Sequence, residues 1–129
     1  MSAGRGLYYF AHPLTVPDAD GGRNCDAERR NFEACTARTA LLVVAGYNIF
    51  SPITHSYPIQ DVLGHEPENQ QSWYALDNEF IKRTDWDGII LGPGWERSRG
   101  CRRERALFEK LGYPVFSYED IVAGLRGED

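Results

Sequence analysis

The sequence has no excess of basic residues, no long apolar run and no paired-cysteine motif, and each absence excludes a class of protein. A net charge of −5 argues against binding along a nucleic-acid polymer, which proteins usually meet with a basic face. No apolar stretch approaches membrane-spanning length, and the N-terminus has no signal-peptide stretch. The three cysteines lack CxxC spacing, which is typical of reduced thiols. We therefore expect a cytoplasmic protein with no membrane partner.

Cofactor and metal motifs are missing as well. The glycines Gly92 and Gly94 alone do not make the glycine-rich fingerprint of a dinucleotide site, and no phosphate-binding loop with its lysine and serine follows them. No spacing of histidine, cysteine and aspartate indicates a metal site. We expect neither a cofactor nor a metal, so an enzyme that uses nicotinamide or ATP is a poor candidate.

The residues that are present are typical of one α/β domain. A chain of 129 residues with 42% hydrophobic and 26% charged residues can form one domain with a substantial core. Apolar runs of strand length alternate with segments of helical period. This alternation predicts a single-domain doubly wound parallel sheet over residues 1–129, flavodoxin-like or Rossmann-like, with four to five strands.

The predicted elements follow one another in a regular order. We expect strands over residues 6–11, 47–50, 88–91 and 113–116, and helices over residues 25–45, 68–84, 98–111 and 118–125. Asn24 and Ser117 are expected to cap the first and last helices. Residues 53–67 are predicted to form a polar, proline-containing loop, although a fifth strand or a helix within 53–63 is an alternative.

Two predicted helices each carry an acid on the face that should be buried. On a helical wheel Glu104 lies within about 60° of Cys101 and Phe108, in the middle of the apolar stripe. Asp77 lies in the apolar stripe of the preceding helix. A buried carboxylate is costly unless it is paired or used, so each acid is either half of a structural ion pair or a functional group. Burial would raise its pKa, as a general acid near neutral pH requires.

Four features in order along the chain carry a resemblance to a known family. They are the segment Tyr8-Tyr9-Phe10-Ala11-His12-Pro13, the loop Gly21-Gly22-Arg23, the acids Asp77 and Asp85, and Ser98 six residues before Glu104. In this order the features resemble the nucleoside 2-deoxyribosyltransferase superfamily. Within that superfamily the chain is most similar to the nucleoside 5′-monophosphate N-hydrolases, and the resemblance covers roughly residues 7 to 116.

The resemblance implies cleavage of the N-glycosidic bond of a nucleoside 5′-monophosphate, giving free base and (deoxy)ribose 5-phosphate. Glu104 would be the nucleophile that forms a glycosyl-enzyme intermediate, and Asp77 would be its acid–base partner. A tyrosine would orient Glu104 through its phenol. Strand alternation points Tyr8 and Tyr9 to opposite faces, so one of them can do this, and we favour Tyr9.

Other residues are expected to bind the substrate. The candidates for the 5′-phosphate are Gly21, Gly22, Arg23 and Ser98. The candidates for the rest of the nucleotide are Tyr8, His12, His55, Asp85 and Trp95. Some have an equally simple structural interpretation, because Arg23 and His55 suit the surface and Ser98 suits a helix cap.

Three functions are open on the sequence alone. The first is the N-hydrolase, and the second is a deoxyribosyltransferase that passes the sugar to another base. The third is a non-catalytic nucleotide-binding module in which the acids are structural. In each case we expect a small-molecule nucleotide as ligand and a homodimer, with the identity of the base and of the sugar left open.

Overall fold

The computed structural model describes residues 6–16, 22–64 and 69–127. In these residues a four-stranded sheet has the order β2-β1-β3-β4. The strands are β1 (Leu7–Ala11), β2 (Asn48–Phe50), β3 (Gly88–Leu91) and β4 (Val115–Ser117). Every neighbouring pair is parallel. The predicted α/β fold is therefore confirmed, with β1 in the interior of the sheet.

Five α-helices surround the sheet in the described part of the chain. They are α1 (Cys25–Val44), α2 (Pro52–Leu63), α3 (Asn69–Arg83), α4 (Arg99–Lys110) and α5 (Tyr118–Leu125). The predicted caps are present, because the side chains of Asn24 and Ser117 accept hydrogen bonds from the amides of Ala27 and Asp120. Across residues 6–16, 22–64 and 69–127, none of the helices has the length and apolar character needed to cross a membrane.

The predicted loop over residues 53–67 is wrong for most of its length, and the alternative of a helix within 53–63 is confirmed, because Pro52–Leu63 form α2. Ser51 caps this helix by accepting a hydrogen bond from the amide of Thr54 at 3.4 Å. Pro52 occupies the first turn, where its missing N–H would have had no partner. Gly64 ends the helix with a φ of 92°. Pro58, one of the two prolines that suggested a loop, lies inside this helix.

Neighbouring side chains of β1 point into two different cores. Tyr9 and Ala11 are buried with residues of β3, α3 and α4, whereas Tyr8 and Phe10 are buried with residues of α1 and α2. This alternation follows from the period of a strand. It places Tyr9 on the side of the sheet that carries α3 and α4, and Tyr8 on the other.

The chain leaves β1, β2 and β3 at the same edge of the sheet because the strands are parallel. At this edge Gly92 allows β3 to end close to the segment that follows β1. A Cβ atom on Gly92 would lie 2.7 Å from Cδ2 of His12, which is too close for any other residue. The carboxyl edge of such a sheet is where ligands usually bind.

Candidate active site

A cavity of about 430 Å³ opens at the carboxyl edge of the sheet. Its wall includes residues from the segment after β1, from the start of α2, from α3 and from the start of α4. The volume lies within the range of about 300–1,000 Å³ typical of small-molecule sites. Asp77, Ser98 and Glu104 all line it, together with His12. Four residues selected from the sequence thus meet in one place.

Glu104 is buried in this wall with a phenol as its hydrogen-bond donor. The side chain is 7% exposed, and Tyr9 Oη donates to its Oε2 at 2.5 Å. The pKa of Glu104 is raised to about 7, mainly by burial; the Tyr9 hydrogen bond and the charge of Arg103 oppose this rise, and the charge of Asp77 contributes to it. Burial and the charge of Glu104 also hold the pKa of Tyr9 well above its ordinary value, so the phenol keeps its proton and remains a donor.

Asp77 presents a second perturbed acid to the same cavity from α3. Burial raises its pKa to about 6, and the charge of Arg103 acts in the opposite direction. Two carboxyl groups that both titrate near neutral pH can between them supply a carboxylate and a carboxylic acid. That combination in one cavity is the arrangement expected of a catalytic acid pair.

The N-terminus of α4 forms another part of the wall. Ser98 Oγ accepts a hydrogen bond from the Cys101 amide at 3.2 Å, and its carbonyl accepts one from the Arg102 amide at 3.0 Å. The amides of Arg99 and Gly100 lie in the first turn, ahead of the intrahelical hydrogen bonds. Such a turn favours an anion, and the Ser98 hydroxyl hydrogen is free to point toward one.

Arginines surround this helix end and add positive charge to the cavity mouth. Arg97, Arg99 and Arg102 are exposed and line the cavity. A smaller depression of about 310 Å³ adjoins it and shares Arg97 and Ser98 with it. The cavity mouth therefore has a cluster of positively charged side chains although the chain carries a net charge of −5.

His12 is a fixed and neutral part of the wall. Its Nε2 lies 2.8 Å from Arg38 Nη1, which can only donate, so Nε2 is the acceptor. The ring hydrogen is then on Nδ1, which donates to the Pro13 carbonyl at 2.8 Å. Burial lowers the pKa of His12, and the charge of Arg38 adds to that effect. The ring can therefore shape the cavity but is poorly suited to exchange protons.

Cys101 lines the cavity without being a candidate nucleophile. Burial raises the pKa of its thiol to about 12, and the Ser98 hydrogen bond only partly opposes this. A thiol that stays protonated is a weak nucleophile. In the described ranges, moreover, no group of three or more histidine, cysteine, aspartate or glutamate side chains is arranged to hold a metal ion.

Comparison with known proteins adds one finding to this geometry. A family model described as "Domain of unknown function (DUF1937)" matches residues 6–120. The chain belongs to the DUF1937 family. The matched region contains the whole sheet and every residue that lines the cavity of this DUF1937 domain. A search of curated proteins finds none that matches the chain.

Arg23, expected at the phosphate, instead pairs with a buried glutamate of α1 in the DUF1937 domain. Its Nε donates to Glu28 Oε2 at 3.1 Å, and its Nη2 forms a salt bridge with Oε1. Glu28 is 1% exposed and also accepts from the Val16 amide at 3.3 Å. Within the described residues, Arg23 does not line the cavity. Gly22 is exposed, and Gly21 lies outside the described residues.

The structure does not bring Tyr8 or Asp85 to the cavity. Tyr8 lies on the opposite face of the sheet, with edge contacts to the rings of Tyr47 and Phe116. Asp85 is exposed before the start of β3, at the edge of the sheet away from the cavity. The reason is the same in both cases, because the strand direction and the side-chain alternation fix which edge and face a residue can reach.

Two further expected residues lie beside the cavity wall. Trp95 packs against the core between the sheet and α4, and the Arg105 guanidinium stacks 4.7 Å from its ring. His55 is exposed on α2, where its ring meets the edge of Trp73 at a centroid distance of 6.2 Å. Trp73 does line the cavity, so His55 is one contact removed from it.

Sequence analysis missed part of the wall on α2 and α3. Gln60, Trp73 and Tyr74 line the cavity, and two buried polar atoms there, Gln60 Oε1 and Trp73 Nε1, have no hydrogen-bond partner in the described part of the chain. Gln60 was missed because its helix was predicted to be a loop. Trp73 and Tyr74 carry no signal of their own, since aromatic residues at helical spacing usually belong to a core.

Proposed function

We propose that this DUF1937 domain hydrolyses the N-glycosidic bond of a nucleoside 5′-monophosphate, as a member of the nucleoside 2-deoxyribosyltransferase superfamily. The observation that carries the proposal is the 2.5 Å contact between Tyr9 Oη and Glu104 Oε2, in the wall of a cavity that Asp77 also lines. A carboxylate oriented by a phenol, with a second acid beside it, suits a reaction whose transition state is a sugar oxocarbenium ion.

In the first step the Glu104 carboxylate attacks the anomeric carbon C1′. The bond between C1′ and the base nitrogen breaks, and its electron pair leaves with the base. Asp77 gives its proton to the departing base, so the base leaves in a neutral form. The product of this step is a glycosyl ester of Glu104 and an ionised Asp77.

In the second step a water molecule attacks C1′ and the ester bond to Glu104 breaks. Asp77, now ionised, takes a proton from the water, and Glu104 leaves as a carboxylate. The sugar 5-phosphate is released, and both acids return to their starting states. Tyr9 remains protonated throughout, which is consistent with its strongly raised pKa.

The 5′-phosphate fits the N-terminus of α4 in this proposal. The Arg99 and Gly100 amides and the Ser98 hydroxyl would donate to its oxygens, with Arg97 and Arg102 adding positive charge. The base would then lie toward α2 and α3, where Trp73 and Tyr74 provide aromatic surface and Gln60 provides an amide. These contacts replace the expected contribution of Arg23, which is engaged by Glu28.

The direct test is to incubate the protein with a panel of nucleoside 5′-monophosphates and to measure free base and sugar phosphate by mass spectrometry. Glu104→Gln, prepared and assayed in parallel, controls for contaminating hydrolases. Addition of a second free base then shows whether water or a base accepts the sugar. Absence of released base for every nucleotide, with nucleotide binding retained, would favour the non-catalytic module.

A second test concerns the phosphate. Two charge-assisted contacts of about 1.5–3 kcal/mol each should favour a monophosphate over its nucleoside by about a hundredfold or more in kcat/KM. Ser98→Asp keeps a good helix cap but adds a negative charge, so it should weaken monophosphate cleavage far more than nucleoside cleavage. Ser98→Thr is the matched neutral control. Equal cleavage of nucleosides and monophosphates by the wild type would contradict this assignment.

A further inference from the structure

Arg103 lies next to Glu104 on α4 and is held by two residues of α3. Its Nη1 donates to Asn78 Oδ1 at 2.8 Å, and the guanidinium stacks over the Tyr74 ring at 4.2 Å from the centroid. Arg103 does not itself line the cavity within the described residues. The guanidinium is therefore fixed from one side, behind the wall that carries the acids.

The other edge of this guanidinium is open. Its Nε and Nη2 are buried and have no hydrogen-bond partner in the part of the chain that the structure describes. These two nitrogens form the side-on edge that an arginine normally offers to both oxygens of a carboxylate. Glu104 Oε2 stands 3.6 Å from Nη2, which is within ion-pair range but too far for a hydrogen bond.

We propose that Arg103 is a positioning residue for Glu104, with its open edge supporting the Glu104 carboxylate before attack. After the base has been protonated, the charge of Arg103 acts on the ionised Asp77. One fixed cation thus accompanies the single negative charge as it changes place. The inference rests on the proposed function for its role in the reaction, but the coupling of Arg103 to the two acids is a property of the free protein.

The charges around the two acids set the direction of the effect. Glu104 is faced by Tyr9 from β1, by Asp77 from α3 and by Arg103 from α4. Arg103 lowers the pKa of Glu104 and of Asp77, against the rise that burial causes in both. Loss of the Arg103 charge should therefore raise both values. Activity needs Glu104 ionised and Asp77 protonated, so both limbs of the pH profile should move to higher pH.

The test compares Arg103→Met, Arg103→Lys and the control Arg105→Met. An adjacent arginine commonly lowers a carboxyl pKa by about one to three units, so Arg103→Met should move both limbs of kcat/KM upward by about one pH unit or more. Arg103→Lys keeps the charge and should leave the limbs near their wild-type positions, even where the rate falls. Arg105 stacks on Trp95 and pairs with Glu109, and its charge is not among the causes of either acid's pKa shift, so Arg105→Met should move neither limb.

A second readout does not depend on catalysis. In protein labelled with ¹³C at glutamate carboxyl carbons, the Glu104 signal is identified by its loss in Glu104→Gln. Its titration midpoint should rise in Arg103→Met and stay in place in Arg105→Met. If Arg103→Met does not fold, Asn78→Ala releases the guanidinium and should give a smaller shift in the same direction.

The two readouts separate failure of the inference from failure of the proposed function. Lower activity with unmoved limbs, or an unmoved Glu104 midpoint, would overturn the role of Arg103 while leaving the hydrolase intact. A shifted midpoint in a protein that cleaves no nucleotide would support the coupling of Arg103 to Glu104. The same result would contradict the proposed function and with it the role of Arg103 in the reaction.

Discussion

Among the residues that the structure describes, the two buried glutamates meet arginine in opposite ways. Glu28 is 1% exposed and Glu104 is 7% exposed. The Nε and Nη2 edge of Arg23 closes on the carboxylate of Glu28. The same two nitrogens of Arg103 have no hydrogen-bond partner in the described part of the chain, and Glu104 Oε2 lies 3.6 Å from Nη2. The short hydrogen bond to Glu104 comes from Tyr9 instead.

The difference separates a structural acid from a candidate functional one. Glu28 also accepts from the Val16 amide, so it ties the segment after β1 to α1 and has little capacity left for a ligand. Glu104 faces a cavity and stands beside two Arg103 nitrogens that have no hydrogen-bond partner among the described residues, and its pKa is raised to about 7. Burial alone therefore does not mark a catalytic carboxylate; the unmet hydrogen-bonding capacity beside a cavity does.

The largest expected effect is on catalysis by Glu104. Glu104→Gln keeps the shape of the side chain and can still accept from Tyr9, but it removes the nucleophile. We expect the rate of base release to fall by about 10⁴-fold or more, the scale seen when a covalent nucleophile is lost. Glu28→Gln, assayed at a temperature where it is folded, should retain activity. Near-wild-type turnover in Glu104→Gln would rule out the proposed mechanism.

The second effect concerns Asp77, which lines the same cavity and forms no salt bridge with an arginine of the described ranges. Its acid form is the active one and Glu104, with a pKa of about 7, must be ionised, so activity should decline above about pH 7, where both acids are ionised. Asp77→Asn should lower kcat by about 10²–10⁴-fold and remove this alkaline limb. The measurement is the pH profile of kcat for the wild type and the variant. An unchanged profile would assign the acid role to another group.

The third effect concerns the free energy of unfolding, which substitution of Glu104 and of Glu28 should change in opposite directions at pH 8. The pKa of Glu104 rises from an ordinary 4.5 to about 7, so its contribution to stability is full below about pH 4.5 and is lost as pH rises through 7. This rise in pKa corresponds to a stability difference of about 3 kcal/mol between low and high pH. Glu104→Gln should therefore gain stability over the wild type at pH 8 but not at pH 4.5.

Glu28→Gln should instead lose about 1–3 kcal/mol at both pH values, because it weakens the hydrogen bonds that this buried carboxylate accepts from Arg23 and from the Val16 amide. Urea unfolding at the two pH values measures both variants. Equal destabilisation of the two variants at pH 8 would mean that Glu104 is a structural acid like Glu28.

Much of the fold was predictable because it depends on local patterns. Strand alternation showed that only one of Tyr8 and Tyr9 could reach Glu104, although not which one. The helical period placed Glu104 and Asp77 on buried faces, as the structure finds for Glu104. The helix α2 was predicted only as an alternative to a loop, because a proline such as Pro58 usually interrupts a helix and here lies inside one. The homodimer and the cytoplasmic location stay predictions.

The arginine partners were not predictable, because they depend on contacts through space. Arg23 lies in a glycine-rich loop that resembles a phosphate site, and only the fold shows that Glu28 engages it. Arg103 and Glu104 are consecutive on a helix, where adjacent side chains do not normally face each other. Their approach depends on Asn78 and Tyr74 of another helix, which hold the guanidinium in place.

The smallest expected effect compares the two neighbouring tyrosines of β1. Tyr9→Phe removes the hydrogen-bond donor to Glu104. Because this hydrogen bond lowers the pKa of Glu104, the substitution should raise that pKa. A hydrogen bond to a charged group is worth about 1.5–3 kcal/mol, so kcat/KM at pH 7 should fall at least about tenfold. The deficit should shrink at higher pH, as Glu104 ionises again.

Tyr8→Phe is the matched control, because it removes a phenol from the adjacent position but on the opposite face of the sheet. It should leave both the rate and the acidic limb of the pH profile unchanged. The measurement is kcat/KM from pH 5 to 9 for the wild type and both variants.

A Tyr9→Phe deficit that does not change with pH would mean that the phenol only packs beside Glu104. A shifted limb in Tyr8→Phe would mean that the two faces of the sheet are not independent. If Tyr9→Phe alone moves the limb, the hydrogen bond from β1 is part of what keeps Glu104 ionised, and the open arginine beside it is the other part.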